Sequence, residues 1–402
     1  MEYPNREMMS PIHLNHSREY ALEVLENFVV KKIKNYSSKR NYDFGDAKNN
    51  FVSYISPFIV KGVLSEREII SRVLRDNSYP QTEKFIQEIF WRTYWRGWLE
   101  LREKVWYDFI ADIKLLDNTT KNYVSAISAN TKIDCFNFWV IELKETGYLH
   151  NHTRMWFASI WIFTLKIDWQ LGAMFFYNHL IDADSASNTL SWRWVAGLQT
   201  KGKTYRAWDE NIKKYTGSKY YPQNLLSKSA DPLPDNRLYP PKDIQFNNST
   251  TNLDNSGLII FDENLSLNYI MNDNNKFNNI LLQSSHYSPL GEDSPIKINF
   301  NRKSLKECEK MIQINNSVQL DYIDFNKNYV DQVNKWSKKH KIELILFARP
   351  RVGIFKNIMN DILENSITKV SIIDRKWDVM YWPHCKKGFF NFKKNILVDD
   401  LI

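Results

Sequence analysis

Between Gly147 and Trp194 the chain reads GYLHNHTRMWFASIWIFTLKIDWQLGAMFFYNHLIDADSASNTLSWRW, a run crowded with large apolar and aromatic residues. Arg154, Asp168, Asp182, Asp184 and Asn188 are set into it. A charge removed from water without a partner is costly, so ionisable groups in such a background call for one another or for a polar ligand. Further up the chain Glu88 and Trp91 stand three apart, and Asn151 and Met155 four apart. Each pair shares a face if its segment is helical, so a carboxyl, an amide, a thioether and a flat indole can line one cavity. Ser53 and Ser56 offer hydroxyls that suit either an anionic ligand or the cap of a helix. Of the 14 tryptophans, 11 precede residue 230. That density fits a packed core and equally fits stacking on a planar cofactor or on bases.

Helices must position these groups. Ser17–Lys34 is amphipathic, with Leu22, Leu25, Phe28 and Val29 on one face. Ser56-Pro57 and Ser65 read as helix starts, the latter with Glu68 in capping-box spacing. The pattern predicts further helices over 82–108, 135–146 and 152–180, with Gly172 small enough for close packing. From 222 to 256 the sequence turns rich in Pro, Asn and Ser, as a linker or a segment wrapped over the surface would be. Beyond it, apolar runs at 257–261, 279–283, 318–325, 343–348 and 369–374 alternate with helical patterns such as 327–340 and 353–364, which predicts a small parallel α/β sheet. The expected organisation is a mostly α domain over 1–228, a linker over 229–256 and a small α/β domain over 257–402. No GxGxxG or P-loop follows any of the strands, so the second domain lacks the usual mark of a nucleotide site.

A chain of 402 residues with net charge +8 is long enough for two domains and suits a phosphate-bearing partner, although so modest an excess leaves nucleic acid at even odds on charge alone. Cys135, Cys308 and Cys385 are three in number and far apart. That argues against a disulfide framework and fits a reducing, cytoplasmic setting. The first twenty residues show no signal-peptide core, and no stretch is apolar enough to span a membrane.

From Tyr36 to Trp194 the sequence resembles the flavin-binding core of the photolyase/cryptochrome family. Tyr36 and Arg40 match its opening; VSYISP at 52–57 matches a phosphate-cradling TSxLSP; EIFWR at 88–92 matches ExxWR; HNHTRM at 150–155 matches HNxxRM; LIDADSASN at 180–188 matches the segment that follows the flavin. The resemblance implies an all-α FAD-binding domain. Tyr36, Ser53, Ser56, Arg92, Arg154, Asp182, Asp184 and Asn188 would then hold FAD, with Arg154 paired to Asp182 and Asn188 facing N5. Arg40, Glu88, Trp91, Asn151 and Met155 would hold the substrate. Trp192 and Trp169 match the proximal and middle members of an electron-transfer chain. The distal place falls near Leu116, leaving Trp98, Trp106, Trp156 or Trp161 as substitutes. Two positions depart from the pattern: Val52 lacks a hydroxyl with Tyr54 where an arginine is common, and His152 stands where an arginine that holds a backbone phosphate is common. After Trp194 the sequence is similar instead to a short photolyase-like branch that lacks the N-terminal antenna domain.

What the resemblance implies is a light-driven, FAD-dependent lyase that repairs cyclobutane pyrimidine dimers in UV-damaged DNA. Glu88, Asn151, Asn188, Trp169 and Trp192 would take part in the reaction. His152 favours single strands, and Asn151, where repair of the (6-4) photoproduct uses a histidine, disfavours that lesion. Two other readings stand beside it: a cryptochrome-like flavoprotein photoreceptor without repair activity, and a plain binding module whose aromatics are all core.

Overall fold

The structure, a computed structural model, describes residues 16–46, 48–247, 255–266, 277–286, 288, 290–315 and 318–396. Helices come first: α1 (Arg18–Lys31), α2 (Ile33–Lys39), α3 (Ser56–Lys61), α4 (Glu66–Asp76), α5 (Tyr79–Glu100), α6 (Lys104–Ile113), α7 (Lys121–Ile127), α8 (Asp134–Thr146), α9 (Asn151–Ser159), α10 (Trp169–His179), α11 (Ser185–Val195) and α12 (Asp209–Tyr215). Among the described residues no strand precedes Ser256. Local chemistry sets several starts: Ser17 caps α1 through the Tyr20 amide, and Ser65 caps α4 through the Glu68 amide.

Two helices expected to run unbroken are interrupted. The pattern over 82–108 becomes α5 and α6 with a turn at Leu101–Glu103. The Arg102 guanidinium at that turn donates to the carbonyls of Tyr239 and Lys386 at 3.0 and 2.7 Å, partners more than a hundred residues away that no local periodicity reveals. The pattern over 152–180 becomes α9, a π turn over Ile160–Thr164 and α10. Lys166 takes a left-handed φ of 56° and the Trp161 indole N–H donates to the Asp168 carbonyl, which closes the break. Gly172 in α10 sits where a Cβ would fall 2.3 Å from the Trp192 ring and 2.9 Å from Trp161 Nε1. Such overpacking costs about 1–3 kcal/mol, so the glycine lets the Trp192 ring pack closely against α10.

Strands β1 (Ser256–Ile260), β2 (Asn279–Gln283), β3 (Gln319–Ile323), β4 (Leu344–Ala348) and β5 (Lys369–Ile373) form a fully parallel sheet in the order β3-β2-β1-β4-β5. Leu258 pairs with Ile280 on one side and Leu346 on the other. Helices α13 (Pro295–Asn315), α14 (Tyr329–Lys339) and α15 (Ile354–Asn365) cover it. Alternate strand residues serve opposite faces: Leu258, Ile260, Ile280 and Leu282 join Cys308 and Ile312, whereas Ile259, Leu281, Ile345 and Phe347 join Trp336, Ile358 and Ile362. Burial on both faces is why these strands read as continuous apolar runs.

The two units are joined by buried ion pairs and by the segment between them. Lys61 meets Asp262 at 3.2 Å, and Lys356 meets Glu100 at 3.0 Å. The segment after α12 lies along the surface: Leu233 N donates to Ala196 O, Tyr239 Oη to Asp108, and Asn247 N to Asp374. Its residues 248–254 fall outside the described residues. After β5 the chain returns to the helical unit. α16 (Lys376–Tyr381), a 3-10 turn over Trp382–His384 and α17 (Phe389–Lys393) pack on α5, where Gly97 makes room for Cys385 Sγ, 2.6 Å from an added Cβ. All three cysteines are free and buried. Among the described residues no helix is long and apolar enough to cross a membrane, and no His, Cys, Asp and Glu cluster could hold a metal ion.

Candidate functional site

The His150 ring caps α9 through the His152 amide at 3.2 Å, and one turn later Arg154 emerges beside the loop that follows α10. Arg154 Nη2 donates to Asp182 Oδ2 at 2.9 Å, its Nε to the Leu149 carbonyl at 2.9 Å, and its guanidinium lies over the Tyr148 ring. Ser56, in the first turn of α3, donates to the same carboxyl oxygen at 2.5 Å. The hydroxyl therefore goes across the site rather than to the helix it begins, whose N-cap is Ile55. Ser53 is half-buried in the loop before α3, next to Val52 and to Tyr54, whose φ is 57°.

Asp184 caps α11, with Oδ1 accepting from the amides of Ala186 and Ser187 at 3.0 and 2.8 Å. Its other oxygen accepts from Arg92 Nη1 at 3.2 Å and faces Arg96 at 3.6 Å. Burial alone would raise this carboxyl, yet Arg96, Arg92 and Arg351 hold it below the ordinary range. Arg96 is almost wholly buried; burial and the nearby Arg351 work against its charge, and Asp184 and Glu66 support it. Glu66, at the start of α4, accepts from Arg96 at 3.3 Å and pairs with Arg375. Arg96, Glu66, Arg351 and Arg375 carry no motif that marks them as site residues in the sequence. The i,i+4 spacing of Arg92 and Arg96 on one face of α5 was the available signal for the first; the others come together only through the fold.

The substrate candidates lie on α2, α5 and α9 and beside them. Glu88 is exposed on α5; desolvation by the protein around it pushes its carboxyl up, with Arg40 opposing. Tyr36 is half-buried against Phe28 and Phe85, and its hydroxyl is pushed up by burial and then by Glu88. Tyr148, which feels Arg154 and Asp182, also acts on Tyr36, so the chain of neighbours runs from Glu88 to the Arg154–Asp182 pair. Asn151 is exposed at the start of α9, with Met155 half-buried one turn on. Trp91 is half-buried, one face covered by Phe389 at 3.7 Å and 9° between planes. His152 is tied at both ring nitrogens: Nδ1 donates to the Asn41 carbonyl at 2.9 Å, which leaves Nε2 to accept from Tyr205 Oη at 3.2 Å. Burial brings its pKa down to about 4, so it carries no charge near neutrality. Asp168 is exposed at the start of α10, away from the other acids.

Asn188 is buried and its Nδ2 donates to the Ala173 carbonyl at 2.8 Å, leaving a second N–H and the amide oxygen. Trp192 packs edge-on to Phe176 and Trp161 at 5.1 and 6.1 Å, and Trp169 stacks on Phe109 at 5.5 Å. Trp106, Trp156 and Trp161 are fully buried, and Trp98, half-buried, lies under the Arg102 guanidinium at 4.4 Å. Leu116 packs half-buried on the core.

Paired Arg and Asp side chains buried in a helical, aromatic-rich unit are the setting of a polar ligand, and comparison with known proteins shows what the unit is similar to. Residues 85–222 match the FAD binding domain of DNA photolyase. The mitochondrial deoxyribodipyrimidine photo-lyase of Saccharomyces cerevisiae is 30% identical over 234 residues, 54% of this chain and 40% of its own. That of Agrobacterium fabrum is 31% identical over 187 residues, 44% and 37%. A cryptochrome of Synechocystis superposes with a TM-score of 0.46 at 24% identity, over 52% of this chain and 45% of its own. The chain thus spans about two fifths of the length of the curated relatives it matches. Its helical unit is thus similar to the flavin-binding domain of the photolyase/cryptochrome family.

The residues present fit FAD. Asp182 Oδ1 is buried without a donor, and Arg96 Nε and Nη2 are buried without acceptors. A molecule that brings N–H and O–H donors together with an anionic pyrophosphate supplies both kinds of partner.

Proposed function

We propose that the chain is a light-driven lyase that splits cyclobutane pyrimidine dimers in DNA, with a preference for single strands. What supports this reading is that Glu88 and Asn151 stay open to solvent on the same helices that carry Arg92 and Arg154, the latter paired with Asp182; together they would line the recess that admits the dimer. Reduced FAD, when bound, supplies on excitation one electron to the dimer and takes it back once the two carbon–carbon bonds between the bases have opened, so the reaction is redox-neutral. Ser56, Arg92 and Arg96 would hold the phosphates, Asp182 and Arg154 the ring, and Asn188 would donate an amide hydrogen towards N5, a neutral partner that tolerates an anionic reduced ring. The protein orients, excludes water and tunes; the cofactor does the chemistry.

The dimer must leave the base stack to enter the recess. That costs a few kcal/mol, least where the strand is already unpaired. His152, uncharged and tied to Asn41, offers no cation to offset the cost. Full-length FAD-loaded protein, illuminated with an oligonucleotide holding one dimer, is therefore expected to restore it, and to bind it more tightly single-stranded than in duplex at matched salt. Bound FAD with no light-dependent splitting would leave the photoreceptor reading in its place. Equal affinity for both forms would remove the strand preference alone.

Glu88 is placed to hold the pyrimidine edge. Because its pKa is raised, it keeps its proton to higher pH than an ordinary carboxyl, and the protonated form can donate to a base carbonyl. Splitting is thus expected to weaken as pH rises through that raised value. Glu88→Gln keeps the shape and a donor but loses this titration. It should flatten the pH profile and lower the splitting yield about two- to tenfold, the worth of one hydrogen bond, more than it lowers affinity. A variant with the parent's pH profile would remove Glu88 from the site.

Trp192 is proposed to pass electrons to oxidised FAD. Trp192→Phe nearly keeps the ring volume but removes an easily oxidised indole. Photoreduction followed by flavin absorbance should slow markedly, with repair by chemically pre-reduced protein retained. Unchanged photoreduction would place electron entry elsewhere. Among the exit candidates, Trp106, Trp156 and Trp161 lie too deep to meet solvent, and the cation over Trp98 disfavours a positive charge on its ring.

A further inference from the structure

The segment Lys386–Lys394 reads KKGFFNFKK, with four lysines, three phenylalanines and no acid. The fold carries it from the end of the α/β unit onto α5, beside Trp91. Phe389 lies flat on Trp91 at 3.7 Å and edge-on to Tyr94 at 5.7 Å. Phe392 packs on Phe90 and Tyr94, and Tyr94 Oη donates to the Lys387 carbonyl at 2.8 Å. Two phenylalanines thus anchor the segment, and the third does not. Phe390 is 71% exposed. Lys386 pairs with Asp243 and Lys393 with Glu83. Lys387 and Lys394 are exposed and, among the described residues, form no ion pair.

One exposed phenylalanine is ordinary. One set between unpaired lysines, on a helix bolted to the indole of Trp91, is the combination that single-stranded nucleic acid recognises: cations for the backbone and a ring for a base. We propose that residues 386–394 grip the DNA strand beside the lesion, Lys387 and Lys394 on phosphates and Phe390 beneath a flanking base. The inference rests on the functional reading above and deepens it. The segment supplies from the end of the α/β unit the backbone cations that His152 does not supply from α9.

The test is fluorescence anisotropy with FAD-loaded full-length protein and a fluorescein-labelled oligothymidylate, undamaged or holding one dimer, over a series of salt concentrations. Each phosphate contact on a single strand contributes about 0.7 to the slope of log K against log salt, so a Lys387→Ala/Lys394→Ala variant should be shallower by about 1.4. Phe390→Ala should lower affinity on the order of tenfold with the slope kept. Lys335→Ala, an exposed lysine on α14, should change neither. Retained FAD absorbance shows that each variant is folded. Parent slope and affinity in the variants, while the parent splits dimers under light, overturns this inference alone. A parent that binds FAD but splits no dimer overturns the functional reading, and the undamaged oligonucleotide still decides whether the segment grips a strand. If the same variants lose binding to phosphatidylserine vesicles with DNA affinity untouched, the surface is for a bilayer and the proposal fails.

Discussion

Arg154→Met is expected to strip FAD from the protein and to be the more damaging half of its pair. Breaking a buried ion pair by removing one partner costs about 3–5 kcal/mol, because the charge left behind stays desolvated. The two sides of this pair are unequal. The Asp182 side chain is 3% exposed and the Arg154 side chain 23%. Loss of Arg154 leaves a deeply buried carboxylate with only Ser56 as donor. Loss of Asp182 leaves a guanidinium that reaches solvent, the Leu149 carbonyl and the Tyr148 ring. Urea unfolding curves should therefore place Arg154→Met near the full cost and Asp182→Asn well below it, both nearly colourless, with Asp182→Ala equally so. A stable Arg154→Met protein with a full complement of FAD would show that this pair does not hold the flavin.

The second large effect concerns acid. Glu66 is buried between Arg375 and Arg96; burial would raise its carboxyl, but the two guanidinium groups bring it down to about 2. A carboxyl depressed in the folded state contributes stability that is complete above its unfolded pKa and is lost as pH falls through the folded one. Here that window runs from roughly 4.5 down to 2, and a shift of that size corresponds to about 3 kcal/mol. Asp378 beside it works the other way. Burial raises it to about 6, Arg375 opposing and Glu66 reinforcing, so its protonation stabilises the fold as pH drops below 6. The parent should therefore lose stability mainly below pH 4.5. Glu66→Gln should be destabilised at neutral pH, with the difference from the parent closing towards pH 2. A difference that stays constant with pH would mean that Glu66 does not hold these arginines.

Much of this was legible in the sequence. Each apolar run after residue 256 became a strand within a residue or two; β1, β2 and β4 read most plainly, because central strands of a parallel sheet covered on both faces demand near-continuous Val, Ile, Leu and Phe. The cap at Ser65 follows from a hydroxyl aimed at the backbone amide three residues on. Helix breaks did not show. Arg102 and Trp161 end their helices through partners or geometry with no local period. The apolar stretch around Arg154 and Asp182 showed that its charges need partners, and the family resemblance paired these two. Glu66, Arg96 and Arg375 were not legible: each looks like a surface charge in its own segment, and only packing removes them from water.

The return of the chain to α5 bears on how the protein is made. Phe389, Phe392, Cys385 and Tyr381 share one core with Phe28, Ile59, Ile70 and Phe90, so that core spans nearly the whole chain. A ribosome that has released the first 230 residues has therefore delivered an unfinished helical unit, with an apolar face of α5 awaiting residues some 150 positions downstream. At about 5–20 residues per second the wait is on the order of ten to thirty seconds. During that interval the nascent chain offers chaperones a surface that the finished protein hides, and a nonsense codon in the α/β unit would strand the helical unit in that state.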